Sequence, residues 1–298
     1  MDESDSLFDS AFLAKLEQLH LLSRKIFRGQ HHAERRSRQI GTSLEFADYR
    51  NYTPGDDLRT VDWNIYGRLD RLFVKLFEAE QDLHVSILLD SSESMRWRGQ
   101  QSVTKYDHSR KIAAALAYVT LANLDRVNLF PVGPELGPDL GFVRGKKQFH
   151  SVLEFLKRFP AMRGQTRLLP SVRTFCKRLK RRGLVFVLSD LLDAEAADAL
   201  IYLRQQQFEV VAIQTLDPAE LSPELNGDVQ LHDSETGVDF DALADGRLLE
   251  AYKREMIAFM ANLDESCRQR AIGYLQTTTA VPFEDLVLRV LRERQFVK

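Results

Sequence analysis

Apolar side chains recur through residues 7–27 at Phe8, Phe12, Leu16, Leu19, Leu22 and Ile26. Steps of three and four place them on one stripe, so the spacing predicts an amphipathic helix. From Arg28 to about Tyr66 the periodicity fails, and charged residues mix with Gly, Thr and Pro. Thr53-Pro54-Gly55-Asp56 reads as a turn: Pro presets φ at one central position and Gly supplies φ > 0 at the next. Leu72 to Phe77 alternates in part, as a strand does.

Beyond Leu83 the pattern changes. Val85–Leu89, Val127–Val132, Leu184–Leu188 and Phe208–Thr215 read as buried strands, with helical stretches at about 105–124, 147–159, 168–182 and 194–206. Gly141-Phe142-Val143 suggests a short edge strand, and 227–240 a hairpin with Glu235-Thr236-Gly237 near its turn. A long helix is predicted from about Asp241 to Ala271, striped by Leu249, Tyr252, Met256, Phe259, Leu263 and Cys267. A strand at Gly273–Thr278 and a helix from about Pro282 follow. This alternation predicts an α/β fold, a mostly parallel sheet with helices on both faces. Ligands in such sheets sit at the carboxyl ends of the strands. The loops after Leu89, around Thr166 and after Leu188 are therefore the candidate site.

Composition narrows the class. The 298 residues are 44% hydrophobic and 28% charged, ordinary for a globular chain. A net charge of −2 argues against a protein devoted to coating nucleic acid or an anionic membrane. Cys176 and Cys267 stand far apart in helical stretches, which fits reduced, buried thiols. The start, Met1-Asp2-Glu3-Ser4-Asp5, lacks the positive region of a secretory signal. Ile112–Ala122, the longest weakly polar stretch, is about half of what a bilayer needs. No membrane span and a cytoplasmic location are expected.

The chemistry lies in those loops. Asp90-Ser91-Ser92-Glu93-Ser94 follows the first buried strand, and alternate residues leaving a strand tip can aim Asp90, Ser92 and Ser94 at one point. A carboxylate and two hydroxyls are hard donors, suited to Mg²⁺ or Mn²⁺ rather than to zinc or copper. Gly164-Gln165-Thr166 offers another hydroxyl, and Ser189-Asp190 a carboxylate that can bind directly or through water. The alternative is a loop whose Ser and Asp side chains only cap a helix and bond backbone amides.

Together Asp90, Ser92, Ser94, Thr166 and Asp190 resemble the metal-ion-dependent adhesion site of von Willebrand factor A domains. The stretch Leu44–Trp63, reading LEFADYRNYTPGDDLRTVDW, resembles the signature of the bacterial domain-of-unknown-function 58 family, and Asp233-Ser234-Glu235-Thr236-Gly237 also fits it. The resemblance spans roughly residues 35–280. It implies a von Willebrand A-like, Rossmann-like domain at 81–298, preceded at 1–80 by the helix and a family-specific strap. It also implies a non-catalytic recognition module in which a partner's Asp or Glu completes the coordination of the metal. Resembling proteins commonly work beside MoxR-type AAA+ ATPases, as adapters or co-chaperones in the maturation of other proteins. Two departures stand out. The resembled domains usually have Gly where this chain has Leu191, so the third metal loop is expected to be shaped differently. Many members carry membrane-spanning helices where this chain has the amphipathic helix 7–27, which favours a free cytoplasmic form.

An Mg-dependent hydrolase of phosphate or ester bonds, using the same loops, is the competing reading. Phosphatases with an aspartyl nucleophile place a second Asp two residues on, where this chain has Ser92. A serine nucleophile needs a base held by an orienting group, and no Gly-x-Ser-x-Gly elbow is present. His84, at a strand start, and His108, on the first turn of a helix, read as structural or exposed. Gly141–Lys147 has three residues between its glycines rather than four, and Lys147 where a phosphate loop needs Ser or Thr. Arg35, Arg36 and Arg38 read as a solvated linker. The charge-dense segment Glu45–Glu80 is either a self-paired strap anchored by Tyr49, Tyr52 and Trp63 or a docking face.

Overall fold

The computed structural model describes residues 7–28, 45–78, 83–99, 101, 103–159 and 167–293. The chain divides into two compact units, one of residues 1–23 with 83–298 and the other of residues 24–82. Helix α1 (Ser10–Arg28) thus begins in the larger unit, although its sequence neighbours are those of the strap. Phe12, Leu16 and Leu19 of its stripe are buried. Phe12 meets Phe283 with ring centroids 5.0 Å apart, and Lys15 pairs with Glu284 at 2.5 Å. Leu22, the next position of the predicted stripe, is 42% exposed, and the Ile26 side chain lies outside the described residues.

In the larger unit the strands are β3 (His84–Asp90), β4 (Arg126–Val132), β5 (Val143–Arg144), β6 (Leu184–Ser189), β7 (Glu209–Leu216) and β10 (Gly273–Thr278). They form one sheet in the order β10-β7-β6-β3-β4-β5. Every pairing is parallel except that of β5 with β4, the short edge strand. Counted along this sheet alone the order is 3-2-1-4-5-6, the doubly wound α/β arrangement. Helices α3 (Lys105–Ala122), α4 (Phe149–Arg158) and α9 (Phe283–Glu293) pack together on one face. Helices α5 (Leu168–Arg178), α6 (Ala196–Gln205) and α8 (Gly246–Arg268) share the opposite core with Leu88, Phe130, Val185, Val187 and Val210. Cys176 and Cys267 are both buried in that second core as free thiols.

The central strands are largely apolar because both faces are covered, with Ser86, Asn128 and Gln214 as buried polar exceptions. Helix α3 is almost wholly buried, and its Ala113–Ala117 stretch, four Ala and one Leu, lets the backbone approach the sheet. Chain direction sets the site. The connection from β3 leads to β4 on one side, whereas β6, on the other side, leads away to β7. The strand order therefore reverses between β3 and β6, and a crevice opens at their carboxyl ends.

Three predicted boundaries move by four residues or more, one of them the end of α5, which stops at Arg178 rather than at about 182. The hairpin consists of β8 (Gly227–His232) and β9 (Asp239–Ala244), so its second strand extends four residues past the expected end. Ala242, Leu243 and Ala244 favour helix locally, but cross-strand pairing down to Gly227↔Ala244 claims them. Helix α8 starts only at Gly246, where Asp245 caps it by accepting from the Leu248 N–H at 2.8 Å. Its stripe is buried only at Leu263 and Cys267, with Tyr252 38% exposed. Helix α7 (Pro218–Leu221) is a single capped turn after β7.

In the smaller unit the aperiodic stretch holds regular structure. Strand β1 (Glu45–Asn51) pairs antiparallel with β2 (Phe73–Glu78), and helix α2 (Trp63–Leu69) lies between them in sequence. The predicted turn forms, with Gly55 at φ 107°. Arg50 grips both oxygens of Asp56 at 2.7 Å, and Thr53 N–H donates to the same carboxylate at 2.8 Å. Asp62 caps α2 and also accepts from the Tyr49 hydroxyl at 2.9 Å and Lys75 at 3.0 Å. Two of the ion pairs of this segment, Arg50–Asp56 and Lys75–Asp62, thus lie within the segment itself. Trp63, expected as an anchor, is 59% exposed, whereas Val61 and Asp62 just before it are buried.

Candidate functional site

Asp90 is the last residue of β3. The register Leu89↔Leu188 puts it beside Ser189 at the end of β6, whose hydroxyl donates to Asp90 Oδ2 at 2.6 Å. The other oxygen, Oδ1, accepts the Ser92 N–H at 3.0 Å and thereby bends the loop back over the strand tip. Ser91 points away and is tied to the Val132 carbonyl through both its N–H and its hydroxyl. Ser92 and Ser94 consequently turn to the same side, with their hydroxyl oxygens 3.0 Å apart. Asp90 and Ser92 are buried. Burial, together with the nearby Asp190 carboxylate, drives the Asp90 pKa well above the usual carboxylate range. Its carboxylate accepts hydrogen bonds and has no cationic side chain bonded to it among the described residues.

Asp190 stands in a different environment. Its Oδ2 accepts from Lys105 Nζ at 2.8 Å, and its Oδ1 accepts from the Leu192 N–H at 3.3 Å. Lys105, first residue of α3, is 1% exposed and also donates to Glu220 Oε1 at 2.5 Å. Burial alone would lower the Lys105 pKa, but the Asp190 and Glu220 carboxylates outweigh it and raise the pKa. Burial raises that of Glu220 despite the ammonium beside it. Glu220 belongs to the capping box of α7, where its Oε2 accepts the Asp217 N–H at 2.7 Å. Gln214, paired in register with Ser189, donates to the Asp190 carbonyl at 2.8 Å. The rim is tight at Gly99, where an added Cβ would lie 2.3 Å from Asp217 Oδ1.

Leu191 has φ 53°, the left-handed region open to glycine at no steric cost. The residue departs from the resembled pattern, yet the backbone still turns as a glycine permits. The strain, about 1–2 kcal/mol for an L-residue, is offset by full burial of the leucine side chain in the second core.

The structure brings Asp90, Ser92 and Ser94 together and places Asp190 next to them in the adjoining strand loop. Thr166 lies outside the described residues. Its neighbour Arg167 donates its N–H to the Gly133 carbonyl at 3.3 Å, and Leu168 N–H reaches Asp193 at 3.2 Å. These bonds bring the start of α5 to the same carboxyl-end rim. Lys105, Gln214 and Glu220 had no role in the sequence reading, and Ser189 entered it only as the residue before Asp190. Lys105 looks like an exposed helix start, and its partners are 85 and 115 residues away.

The donor set fits a small hard cation. In an octahedral Mg²⁺ shell with bonds of about 2.1 Å, adjacent oxygens are about 3.0 Å apart. The Ser92 and Ser94 hydroxyls, hydrogen-bonded to each other at 3.0 Å, are spaced compatibly with that edge. Hydrolytic chemistry finds less here. His84 begins β3, about 20 Å from Asp90 by strand rise, and its ring packs edge-on against Phe142. His108 is buried, which lowers its pKa to about 4, and the charges acting on it are Lys111 and Glu284.

The family profile described as "Protein of unknown function DUF58" matches residues 48–258. The chain belongs to this family. An uncharacterized protein of Mycobacterium tuberculosis (strain ATCC 25618 / H37Rv) is 25% identical over 262 residues, covering 87% of this chain and 82% of that protein. Among solved structures the chain is similar to the conserved hypothetical protein BatB from Bacteroides thetaiotaomicron, with a TM-score of 0.47 at 12% identity, over 72% of this chain and 98% of that one. It is also similar to the SpRpn10 VWA domain, with a TM-score of 0.41 at 12% identity, over 70% and 95% of the two chains. Among the described residues of this DUF58 protein, no helix is long and apolar enough to cross a membrane.

Proposed function

We propose that this DUF58 protein is a divalent-metal-dependent protein-interaction module of the cytoplasm, an adapter or co-chaperone for a MoxR-type AAA+ ATPase. Asp90, Ser92 and Ser94 would hold Mg²⁺ or Mn²⁺, with Thr166 as a further donor. Asp190, whose carboxylate Lys105 engages, would act through water. When bound, the ion supplies a directional positive charge that an Asp or Glu of the partner completes.

The observation carrying this reading is the convergence of the Ser92 and Ser94 hydroxyls, hydrogen-bonded to each other at 3.0 Å, beside the buried Asp90 carboxylate. A buried carboxylate without a bonded cationic side chain favours binding a cation. The chain's own residues do the rest: Ser189 and the Ser92 N–H orient Asp90, and Lys105 neutralises Asp190 so that the crevice does not hold two unbalanced carboxylates.

The test is an affinity pulldown from native lysate with wild type in Mg²⁺, wild type in EDTA and Asp90→Ala in Mg²⁺. An AAA+ ATPase retained only in the first sample is expected. Equal retention in all three would refute a role for the metal in docking. Turnover of p-nitrophenyl phosphate by wild type but not by Asp90→Ala would replace the module with a hydrolase.

A further inference from the structure

We infer that the β8–β9 ribbon is a docking surface for an extended, cationic, amphipathic segment of a partner protein, separate from the crevice at the ends of β3 and β6. Between Glu224 and Asp245 the chain carries seven acidic residues and no Lys or Arg, whereas the whole protein has a net charge of only −2. The ribbon thus concentrates negative charge that the rest of the chain balances.

Its two faces differ by strand alternation. The register pairs Val229 with Ala242 and Leu231 with Phe240, so these four form one apolar face. Asp228, Gln230, His232, Asp239, Asp241 and Leu243 fall on the other face, where His232 Nδ1 lies 2.7 Å from Asp239 Oδ1 and Leu243 is 60% exposed. Val229 and Ala242, nearer the base, are half-buried, but Leu231 is 43% and Phe240 55% exposed. A two-stranded ribbon normally needs its apolar face covered to be stable. Here the outer half of that face is left to solvent.

The ribbon is nevertheless built to hold its shape. Asp233 accepts from the N–H groups of Glu235 and Thr236 and from the Thr236 hydroxyl, the last at 2.6 Å. Gly237 closes the turn at φ 72°, donating its N–H to the Asp233 carbonyl at 2.8 Å. The outer edges of β8 and β9 pair with no other strand among the described residues. An open depression of about 630 Å³ runs along the ribbon, lined by Asp228, Val229, Gln230, Asp241, Ala242 and Leu243. It offers acidic and apolar groups in alternation beside free backbone edges.

These features select the occupant. Dense negative charge repels nucleic acid and anionic lipid and attracts Lys- and Arg-bearing segments. Exposed Leu and Phe reward apolar side chains at alternate positions, and an open strand edge rewards extended backbone. A partner segment alternating basic and apolar residues satisfies all of these at once.

The probe is a fluorescein-labelled twelve-residue peptide of alternating Lys and Leu, titrated with the full chain and followed by fluorescence anisotropy. An alternating Glu and Leu peptide is the control. The Lys peptide is expected to bind, with affinity falling as salt rises. Leu231→Ser with Phe240→Ser should weaken it about tenfold or more, since both side chains are solvent-accessible contacts. Asp228→Asn with Asp241→Asn should weaken it less and flatten the salt dependence. These side chains are exposed, so the variants should melt with wild type in circular dichroism. Equal affinity in wild type and the Ser variant, absence of binding, or equal binding of the Glu peptide would each overturn the assignment. Asp90→Ala should bind the Lys peptide as wild type does, which separates this surface from the proposed metal site.

Discussion

Replacing Lys105 with Met removes a charge from the most enclosed ion cluster among the described residues while keeping most of the side-chain volume. Lys105 is 1% exposed and bonds Asp190 at 2.8 Å and Glu220 at 2.5 Å. At an effective dielectric of about 20 these attractions amount to about 6 and about 7 kcal/mol. Desolvating the ammonium and both carboxylates costs several kcal/mol for each ion and cancels most of that gain. The substitution does not return the desolvation cost. It leaves two carboxylates facing each other across an apolar side chain, for which a loss of about 3–5 kcal/mol is expected. With a urea m-value of about 2 kcal/mol/M, the midpoint followed by circular dichroism should fall by roughly 2 M. Adding Asp190→Asn and Glu220→Gln removes the stranded charges and should recover more than half of the loss. A fall below about 1 kcal/mol for Lys105→Met, or a triple variant no better than the single one, would refute the argument that uncompensated buried charge dominates.

Further outcomes follow from other parts of the larger unit. The folded His108 has a pKa of about 4 through burial and Lys111, against about 6.5 when unfolded. Between those values the unfolded chain binds a proton that the folded one refuses, so this contribution is present above pH 6.5 and lost as pH falls toward 4. The loss amounts to about 3 kcal/mol, and His108→Gln should flatten the stability–pH curve in that window; parallel curves for the two proteins would count against it. A Cβ on Gly183 would lie 2.1 Å from the His84 carbonyl oxygen, so Gly183→Ala should cost about 1–3 kcal/mol in thermal denaturation by wedging β6 from β3, and an unchanged Tm would disprove that close approach. If Mg²⁺ binds at Asp90, wild type should gain about 1.4 kcal/mol at ten times Kd. Asp90→Asn should lose that gain without lowering metal-free stability, because the amide buries no charge; an equal Mg²⁺ response in both would move the ion elsewhere.

The architecture was legible because it depends on short-range regularities. A strand covered on both faces must be apolar along its whole length, as Leu184–Leu188 is, and an amphipathic helix must repeat every three or four residues, as Phe12, Leu16 and Leu19 do. The carboxyl-end location of Asp90 and Asp190 followed from chain direction alone, whereas Ser92 and Ser94 converge through a bend after the strand rather than through strand alternation. Local propensity misled where pairing overrode it: Ala242–Ala244 entered a strand. It was silent where charge pairing built structure, as in the Arg50–Asp56 and Asp62–Lys75 contacts of the smaller unit.

What only the tertiary structure decided is which groups face one another across large sequence distances. The register of β3 with β6 makes Ser189 a donor to Asp90, and the packing of α3 against the turn after β7 buries Lys105 between Asp190 and Glu220. Neither pairing leaves a trace in local composition. A lysine opening a helix looks alike in sequence whether water or two carboxylates surround it. Its environment comes from elements brought together by burial of apolar surface, and that burial is cooperative over the whole sheet.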